Sequence, residues 1–167
     1  LLRGEADIEI SGVSERVREE SGVKIHAIEI LNEQGERQLR KPRGHYITLT
    51  LPPARQAEDK GALAAVAAQE LAALLPELRD GPLLVAGLGN RAATPDSLGP
   101  RTAELLCATR HLFTEHCDTA GLGNLALFSP GVLASSGMET AELLAALCAE
   151  LKPAALLAVD ALAAADM

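Results

Sequence analysis

The fold is decided by residues 83–100, LLVAGLGNRAATPDSLGP. The apolar run Leu83–Ala86 predicts a buried strand. It ends in the turn Gly87–Asn90, where glycine permits a positive φ or a close backbone approach. A polar loop with one carboxylate, Asp96, follows, and Leu98-Gly99-Pro100 begins a predicted helix because proline suits a first helical turn. A strand, a glycine turn and a strand-end acid are typical of an α/β active site.

A second strand-end acid comes later in the chain. The apolar run Ala155–Val159 is followed directly by Asp160. From residue 58 onward, helical and strand patterns alternate, which predicts a parallel sheet with helices on both faces. The predicted fold class is therefore α/β, a three-layer sandwich with a mostly parallel sheet, in a single domain over residues 1–167.

The N-terminal part carries a different pattern. Residues 24–31 and 45–51 predict two strands, and Asn32–Gly35 (NEQG) predicts a turn between them. This strand-turn-strand is expected to be an antiparallel extension of the sheet. The charged residues 1–22 predict a solvated helix or a flexible arm.

The bounds of three helices and one more strand complete the prediction. The helices are expected over residues 58–75, 100–112 and 140–151, and the short strand over 124–129. The helix over 100–112 is expected to place Leu105, Leu106 and Thr109 on one face.

Charge and cysteine content restrict the classes of function. There are 23 Asp and Glu residues against 15 Lys and Arg, a net charge of −8. This balance argues against nucleic acid or an anionic membrane as a direct partner and is compatible with a basic or neutral protein partner. Three cysteines without C-x-x-C spacing, and no signal-peptide pattern, indicate reduced thiols inside a cell. The longest apolar stretches contain Glu or Lys and fall short of a membrane span.

Other chemistries fit the motifs less well. Residues 87–92, GLGNRA, satisfy the dinucleotide pattern G-x-G-x-x-[GA], but Thr94-Pro95 interrupts the helix that this motif requires. There is no G-x-S-x-G motif, and Cys107 and Cys148 fall on predicted helices, where thiols are usually inert. His111 and His116 are poorly spaced for a metal on one helical face. No metal and no cofactor are predicted.

Asp96 and Asp160 are therefore the candidate catalytic residues. Two carboxylates that approach each other can share one proton. The ionised member can take a proton from water while the neutral member donates to the carbonyl of a scissile amide. The alternative is structural, with Asp96 as a helix N-cap and Asp160 as a loop acid.

Two loops at the same end of the sheet are candidates for shaping a substrate site. One could place amides near the acids, and the other could line a peptide groove, although a tight turn and a flexible connection are the alternatives. Their residues are Gly87, Gly89 and Asn90 in the first loop, and Gly131, Ser135, Ser136 and Gly137 in the second.

Four blocks of the chain, in the right order, resemble the germination proteases of bacterial spores. They are residues 32–52, 87–113, 129–144 and 152–164. The second block contains Asp96 and the fourth contains Asp160. The resemblance implies that these two are the catalytic aspartates of an atypical aspartic peptidase, similar in fold to hydrogenase-maturation endopeptidases.

The resemblance also implies a biological role. Such a protease degrades small acid-soluble spore proteins during germination, in the cytoplasm of the spore core, and it is made as a zymogen and forms a homotetramer. The family continues beyond its second aspartate, so these 167 residues are expected to be the N-terminal part of a longer protease. The alternatives are a nickel-sensing maturation peptidase and an inactive fragment that acts only as a binding domain.

Overall fold

Two separate sheets organise the chain. The computed structural model describes residues 8–10, 12–52, 60–75, 78, 81–115 and 117–162. Contacts group the chain into two compact units, Leu1–Leu74 and Leu75–Met167, and each unit contains one sheet. The predicted antiparallel strands thus form a sheet of their own instead of an extension of the parallel one. A single domain over 1–167 stays a prediction.

The first unit contains an antiparallel sheet of order β1-β2-β3-β4. Ser21 (φ 51°) and Gly22 (φ 79°) join β2 to β3. Both have the positive φ angle that the two central residues of a type I′ hairpin turn need. The elements are β1 (Ile8–Ile10), β2 (Val13–Glu20), β3 (Val23–Ile30), α1 (Glu33–Leu39), β4 (Gly44–Thr50) and α2 (Lys60–Leu74).

The core of the first unit lies between the antiparallel sheet and α2. Val66 of α2 packs against Val23, Ile25 and Leu51, and all four side chains are buried. The predicted helix over 58–75 is confirmed for Lys60–Leu74, and residues 53–59 lie outside the described residues. Burial of aliphatic side chains is the dominant stabilising contribution here.

The predicted helix or flexible arm over residues 1–22 is wrong for 8–10 and 13–20, which form β1 and β2. Most side chains of β2 are charged, and only Val13 is buried, so the strand lacks the apolar alternation by which strands are recognised. It is held by antiparallel pairing with β3 along its full length, from Val13 opposite Ile30 to Glu20 opposite Val23. Residues 1–7 and 11 lie outside the described residues.

The predicted turn at Asn32–Gly35 is instead the start of α1. The Asn32 side chain accepts hydrogen bonds from the backbone N–H groups of Gln34 (3.0 Å) and Gly35 (3.2 Å). It thereby satisfies two of the donors that a helix N-terminus leaves unpaired. Arg40, with φ 52°, ends the helix.

The second unit contains a parallel sheet of order β6-β5-β7. The central strand is buried, and Leu84, Val85 and Ala86 are at most 1% exposed. The predicted α/β class, with a parallel sheet flanked by helices and N-terminal antiparallel strands, is confirmed. The elements are β5 (Leu83–Leu88), α3 (Leu98–Leu105), α4 (Arg110–Thr114), β6 (Leu125–Gly131), α5 (Leu133–Ser136), α6 (Thr140–Leu151) and β7 (Ala155–Val159).

The helix predicted over 100–112 is divided into α3 and α4. The cause is Thr109, whose backbone N–H donates to the carbonyl of Leu125 and whose Oγ1 accepts the N–H of Leu125, both at 3.0 Å. These bonds attach the chain to the start of β6 and interrupt the helix. Leu105 ends α3 and Thr109 precedes α4, and Leu105 is 89% exposed whereas Thr109 is buried, so the predicted common helix face of Leu105, Leu106 and Thr109 is wrong. No helix among the described residues is long and apolar enough to cross a membrane.

We predict that Ile25→Ala lowers the free energy of unfolding of the first unit by about 2–5 kcal/mol, because it leaves a cavity beside Val66. Leu74→Ala removes a similar apolar volume from a side chain that is 45% exposed, and it should change the free energy by no more than about 0.5 kcal/mol. Urea denaturation followed by circular dichroism measures both. Equal effects of the two substitutions would contradict the assigned core.

Candidate functional site

Both candidate aspartates lie at the carboxyl edge of the parallel sheet. β5 and β7 are neighbours, with Gly87 opposite Val159, and Asp160 follows Val159 directly. Asp96 ends a short 3-10 turn, Thr94–Asp96, in the loop after β5. The carboxyl ends of neighbouring parallel strands are where α/β proteins bind ligands. The structure therefore brings the two predicted acids to one edge, through one loop and one strand end.

The Asp96 carboxylate is half-buried and closes the loop after β5. Its Oδ2 accepts a hydrogen bond from the backbone N–H of Asn90 at 2.7 Å. Among the described residues this is the only donor to the carboxylate. The N-cap of α3 is Ser97, without a side-chain capping bond. The alternative role of Asp96 as that N-cap is therefore wrong.

Gly89 makes room for the Asp96 turn. Its φ is +113°, a value that side chains rarely allow, and a Cβ there would lie 2.2 Å from the Asp96 carbonyl oxygen and 2.9 Å from Oδ1. The chain bends at Gly89 as predicted, but β5 continues through Leu88, so Gly87 and Leu88 of the predicted turn Gly87–Asn90 lie in the strand. Glycine is needed at position 89 because Asp96 approaches it closely. The absence of a side chain at Gly89 thus leaves room for the Asp96 carboxylate.

Gly99, in the first turn of α3, contacts the backbone at the ends of both strands. A Cβ on Gly99 would lie 2.3 Å from the carbonyl oxygens of Leu88 and Val159. On β5 itself, a Cβ on Gly87 would lie 2.3 Å from the Gly99 carbonyl oxygen. These contacts seat α3, and the turn just before it, against the end of β7 next to Asp160. The sequence singled out Gly87 but not Gly99, although a glycine inside a helical pattern often has a packing reason.

Asp160 is exposed, and its Oδ1 accepts the N–H of Ala161 at 2.8 Å. This bond joins adjacent residues, and among the described residues no other hydrogen bond reaches the carboxylate. Asp160 thus remains open to solvent at the edge of the sheet, whereas Asp96 is partly covered. The two acids therefore differ in their exposure to solvent.

The second predicted loop, residues 131–137, begins at the end of β6, which lies on the side of β5 opposite β7. Gly131 is opposite Leu88, after a bulge in which β6 carries one residue more than β5. The Ser135 hydroxyl donates to the Val132 carbonyl at 2.7 Å, and Gly137 (φ 71°) ends α5. Ser136 bonds to the backbone of Met138. These serines therefore satisfy local backbone groups, and β5 separates their loop from β7.

An ion pair that the sequence did not indicate ties the Asp96 loop to α3. The Arg91 Nε lies 2.6 Å from Glu104 Oε1. The hydrogen bond from Arg91 lowers the pKa of Glu104, and the same bond to Glu104 raises the pKa of Arg91. Both side chains are about half exposed, so the pair lies on the solvent-exposed rim of the candidate site, where solvent screens the attraction between the two charges.

The residues considered for other chemistries do not have the arrangement that those chemistries need. α3 begins nine residues after Gly89, which is not the helix start that a dinucleotide motif requires. Cys107 lies exposed between α3 and α4 instead of on a helix, and Cys148 is half-buried on α6. His111 lies on α4, and His116 is outside the described residues. Among the described residues, no three His, Cys, Asp or Glu side chains converge as metal ligands would.

These features define an α/β protein whose candidate site is formed by strand-end carboxylates of a parallel sheet. The chain belongs to the germination protease family, whose model matches residues 3–167. The resemblance drawn from the sequence is thereby confirmed.

Curated relatives carry the same description. The chain is 40% identical over 159 residues to the germination protease of Caldanaerobacter subterraneus subsp. tengcongensis and 38% identical over 159 residues to that of Clostridium tetani. It is 36% identical over 163 residues to that of Bacillus subtilis. Each match covers 93% of this chain but 49%, 49% and 44% of the respective relative. The chain thus spans about half the length of the relatives it matches.

We predict that Gly99→Ala destabilises the second unit by about 1–3 kcal/mol or more, because the new Cβ overlaps backbone atoms that cannot rotate away. Gly61→Ala is the matched control, since Gly61 lies in α2 with open space around the position of a Cβ. That change should stabilise by about 0.5–1 kcal/mol. Chemical denaturation measures both, and a Gly99→Ala protein as stable as the parent would refute the contact.

We predict that Arg91→Ala raises the pKa of Glu104 towards its ordinary value. The folded-state pKa is lowered, so the ion pair stabilises the fold above the ordinary pKa and this stabilisation is lost as the pH falls through the lowered value. Carbon-13 NMR titration of the Glu104 carboxyl tests this. Arg101→Ala should raise the pKa less, because Arg101 is the weakest contributor. Equal shifts in the two variants would contradict the assignment.

Proposed function

We propose that the chain acts as a spore-germination endopeptidase that hydrolyses peptide bonds with Asp96 and Asp160 as its catalytic pair. Membership of the germination protease family supports the reaction class. The observation that carries the assignment of residues is the contact of Gly99 with Leu88 and Val159. This contact seats the Asp96 turn against the strand end from which Asp160 follows. The proposed substrates are small acid-soluble spore proteins.

In the proposed reaction, the ionised carboxylate removes a proton from a water molecule, whose oxygen attacks the scissile carbonyl carbon. The neutral carboxyl donates its proton to the carbonyl oxygen. The tetrahedral intermediate collapses when the first carboxyl returns the proton it took from water to the amide nitrogen and the C–N bond breaks. One hydroxyl proton of the intermediate passes to the second carboxylate, which leaves a carboxylic acid, a free amine and the pair in its starting state. The Asn90 N–H donates a hydrogen bond to Oδ2 of Asp96, so Oδ1 is the oxygen that contacts water or substrate in this reaction. The exposed Asp160 is accessible to an extended polypeptide.

The same proposal includes the setting in which the family acts. The protein is synthesised as a zymogen, forms a homotetramer and acts in the cytoplasm of the spore core. Its net charge of −8 favours a basic or neutral protein substrate over nucleic acid as a direct partner. Gly131, Ser135, Ser136 and Gly137 are proposed to line the substrate groove on the β6 side, and Gly87, Gly89 and Asn90 to shape the β5 side.

We predict that Asp96→Asn and Asp160→Asn each lower the cleavage rate of a small acid-soluble spore protein by at least about 10²-fold. Asn keeps the side-chain shape and removes the carboxylate that proton transfer needs. The assay compares initial rates for the unmodified chain and each variant, with circular dichroism to establish folding. The germination protease of Bacillus subtilis, assayed in parallel, establishes that the substrate is cleavable.

Asp118→Asn is the matched control for these substitutions. Asp118 precedes β6, at the opposite end of the sheet from the candidate site, and its Oδ1 accepts the N–H of Ala120. Its rate should equal that of the unmodified chain. Full activity in either Asp96→Asn or Asp160→Asn would refute the catalytic pair. Binding of the substrate by the unmodified chain without cleavage would refute the hydrolytic proposal and favour a binding domain.

A further inference from the structure

The Asp96 carboxylate is held by the backbone of one residue, Asn90. Oδ2 accepts the Asn90 N–H at 2.7 Å, while the Asp96 carbonyl oxygen and Oδ1 lie against Gly89. The carboxylate therefore lies over the Gly89–Asn90 turn, and within the described part of the chain only the Asn90 N–H donates to it. Its orientation depends on the direction in which that single N–H group points.

The direction of the Asn90 N–H is fixed by Asn90 itself. Its side-chain Oδ1 accepts the N–H of Ala92 at 3.0 Å, and its carbonyl accepts the N–H of Ala93 at 3.1 Å. The first bond makes an Asx turn, a local structure that Asn and Asp form because the side chain mimics a backbone turn. The turn continues when the Ala93 carbonyl accepts the N–H of Asp96 at 2.9 Å. A short chain of bonds thus links the Asn90 side chain to Asp96.

We infer that Asn90 is a positioning residue for Asp96: its side chain locks the turn whose N–H orients the carboxylate. The inference rests on the proposed function, since it concerns the same carboxylate. The Asn90 side chain does not bond to Asp96 directly, so it acts through its own backbone. Catalytic groups must be held in a narrow range of positions, and a displacement of about 1 Å can cost about 10²-fold in rate.

The test replaces the Asn90 side chain and measures kcat and KM separately with a spore protein substrate. Asn90→Ala removes the Asx turn and should lower kcat about 10- to 100-fold with KM changed less than about threefold. Asn90→Ser retains a weaker hydroxyl acceptor for the Ala92 N–H and should restore part of kcat. A merely structural role would not give this rescue or this separation of kcat from KM.

Asn32→Ala is the matched control. The Asn32 side chain also accepts backbone N–H bonds, but it does so at the start of α1 in the first unit. Its loss should lower stability with kcat unchanged. Amide hydrogen exchange gives a readout that does not depend on turnover. Protection at residue 90 should fall at least about tenfold in Asn90→Ala and remain in Asn32→Ala.

The outcomes separate the two proposals. Full activity of Asp96→Asn overturns the proposed function. Unchanged kcat in Asn90→Ala, beside an inactive Asp96→Asn, overturns only the positioning inference. If the unmodified chain does not cleave the substrate, exchange decides: loss of protection at residue 90 in Asn90→Ala supports the inference, and unchanged protection overturns it.

Discussion

The backbone contact between Gly99 and the ends of β5 and β7 is the constraint on which the candidate site depends. A helix carrying any side chain at this position could not approach Leu88 and Val159 so closely. With glycine, α3 seats on the carboxyl edge, and the loop before it must turn within the few residues between Gly89 and Leu98. The 3-10 turn that ends at Asp96 is the result. The packing of α3 against the sheet therefore also determines where Asp96 lies.

The elements that could be predicted are those in which the residues of the element itself determine its conformation. β5 and β7 are short apolar runs, the expected pattern for parallel strands, and Ala155–Val159 was predicted with its observed bounds. β2 was missed because its side chains are charged, and its strand conformation comes from pairing with β3. α1 was missed because Asn32 and Gly35 indicate a turn equally well, and only the capping bonds distinguish the two.

For the candidate site, too, some features could be predicted from local sequence patterns and others could not. The presence of two strand-end acids could be predicted, because apolar strands followed by Asp are local patterns. The role of Asp96 could not, since N-capping of α3 and bonding to Asn90 N–H are both compatible with the sequence. The Gly99 contact with Val159 joins residues that are far apart in the chain. Its existence depends on which strands become neighbours, and local patterns do not contain that information.

The bonds that hold Asp96 differ in kind from the ion pair beside it. Arg91 and Glu104 lie about half exposed on the rim, where salt screens their attraction and such pairs contribute little. The Asn90 N–H, by contrast, is a neutral backbone donor to a half-buried carboxylate, and its bond does not require a second titratable side chain. Glycines at 89 and 99 fix the backbone around it by close packing. Asp96 is thus oriented by backbone geometry, and its position should be less sensitive to ionic strength than the rim of the site.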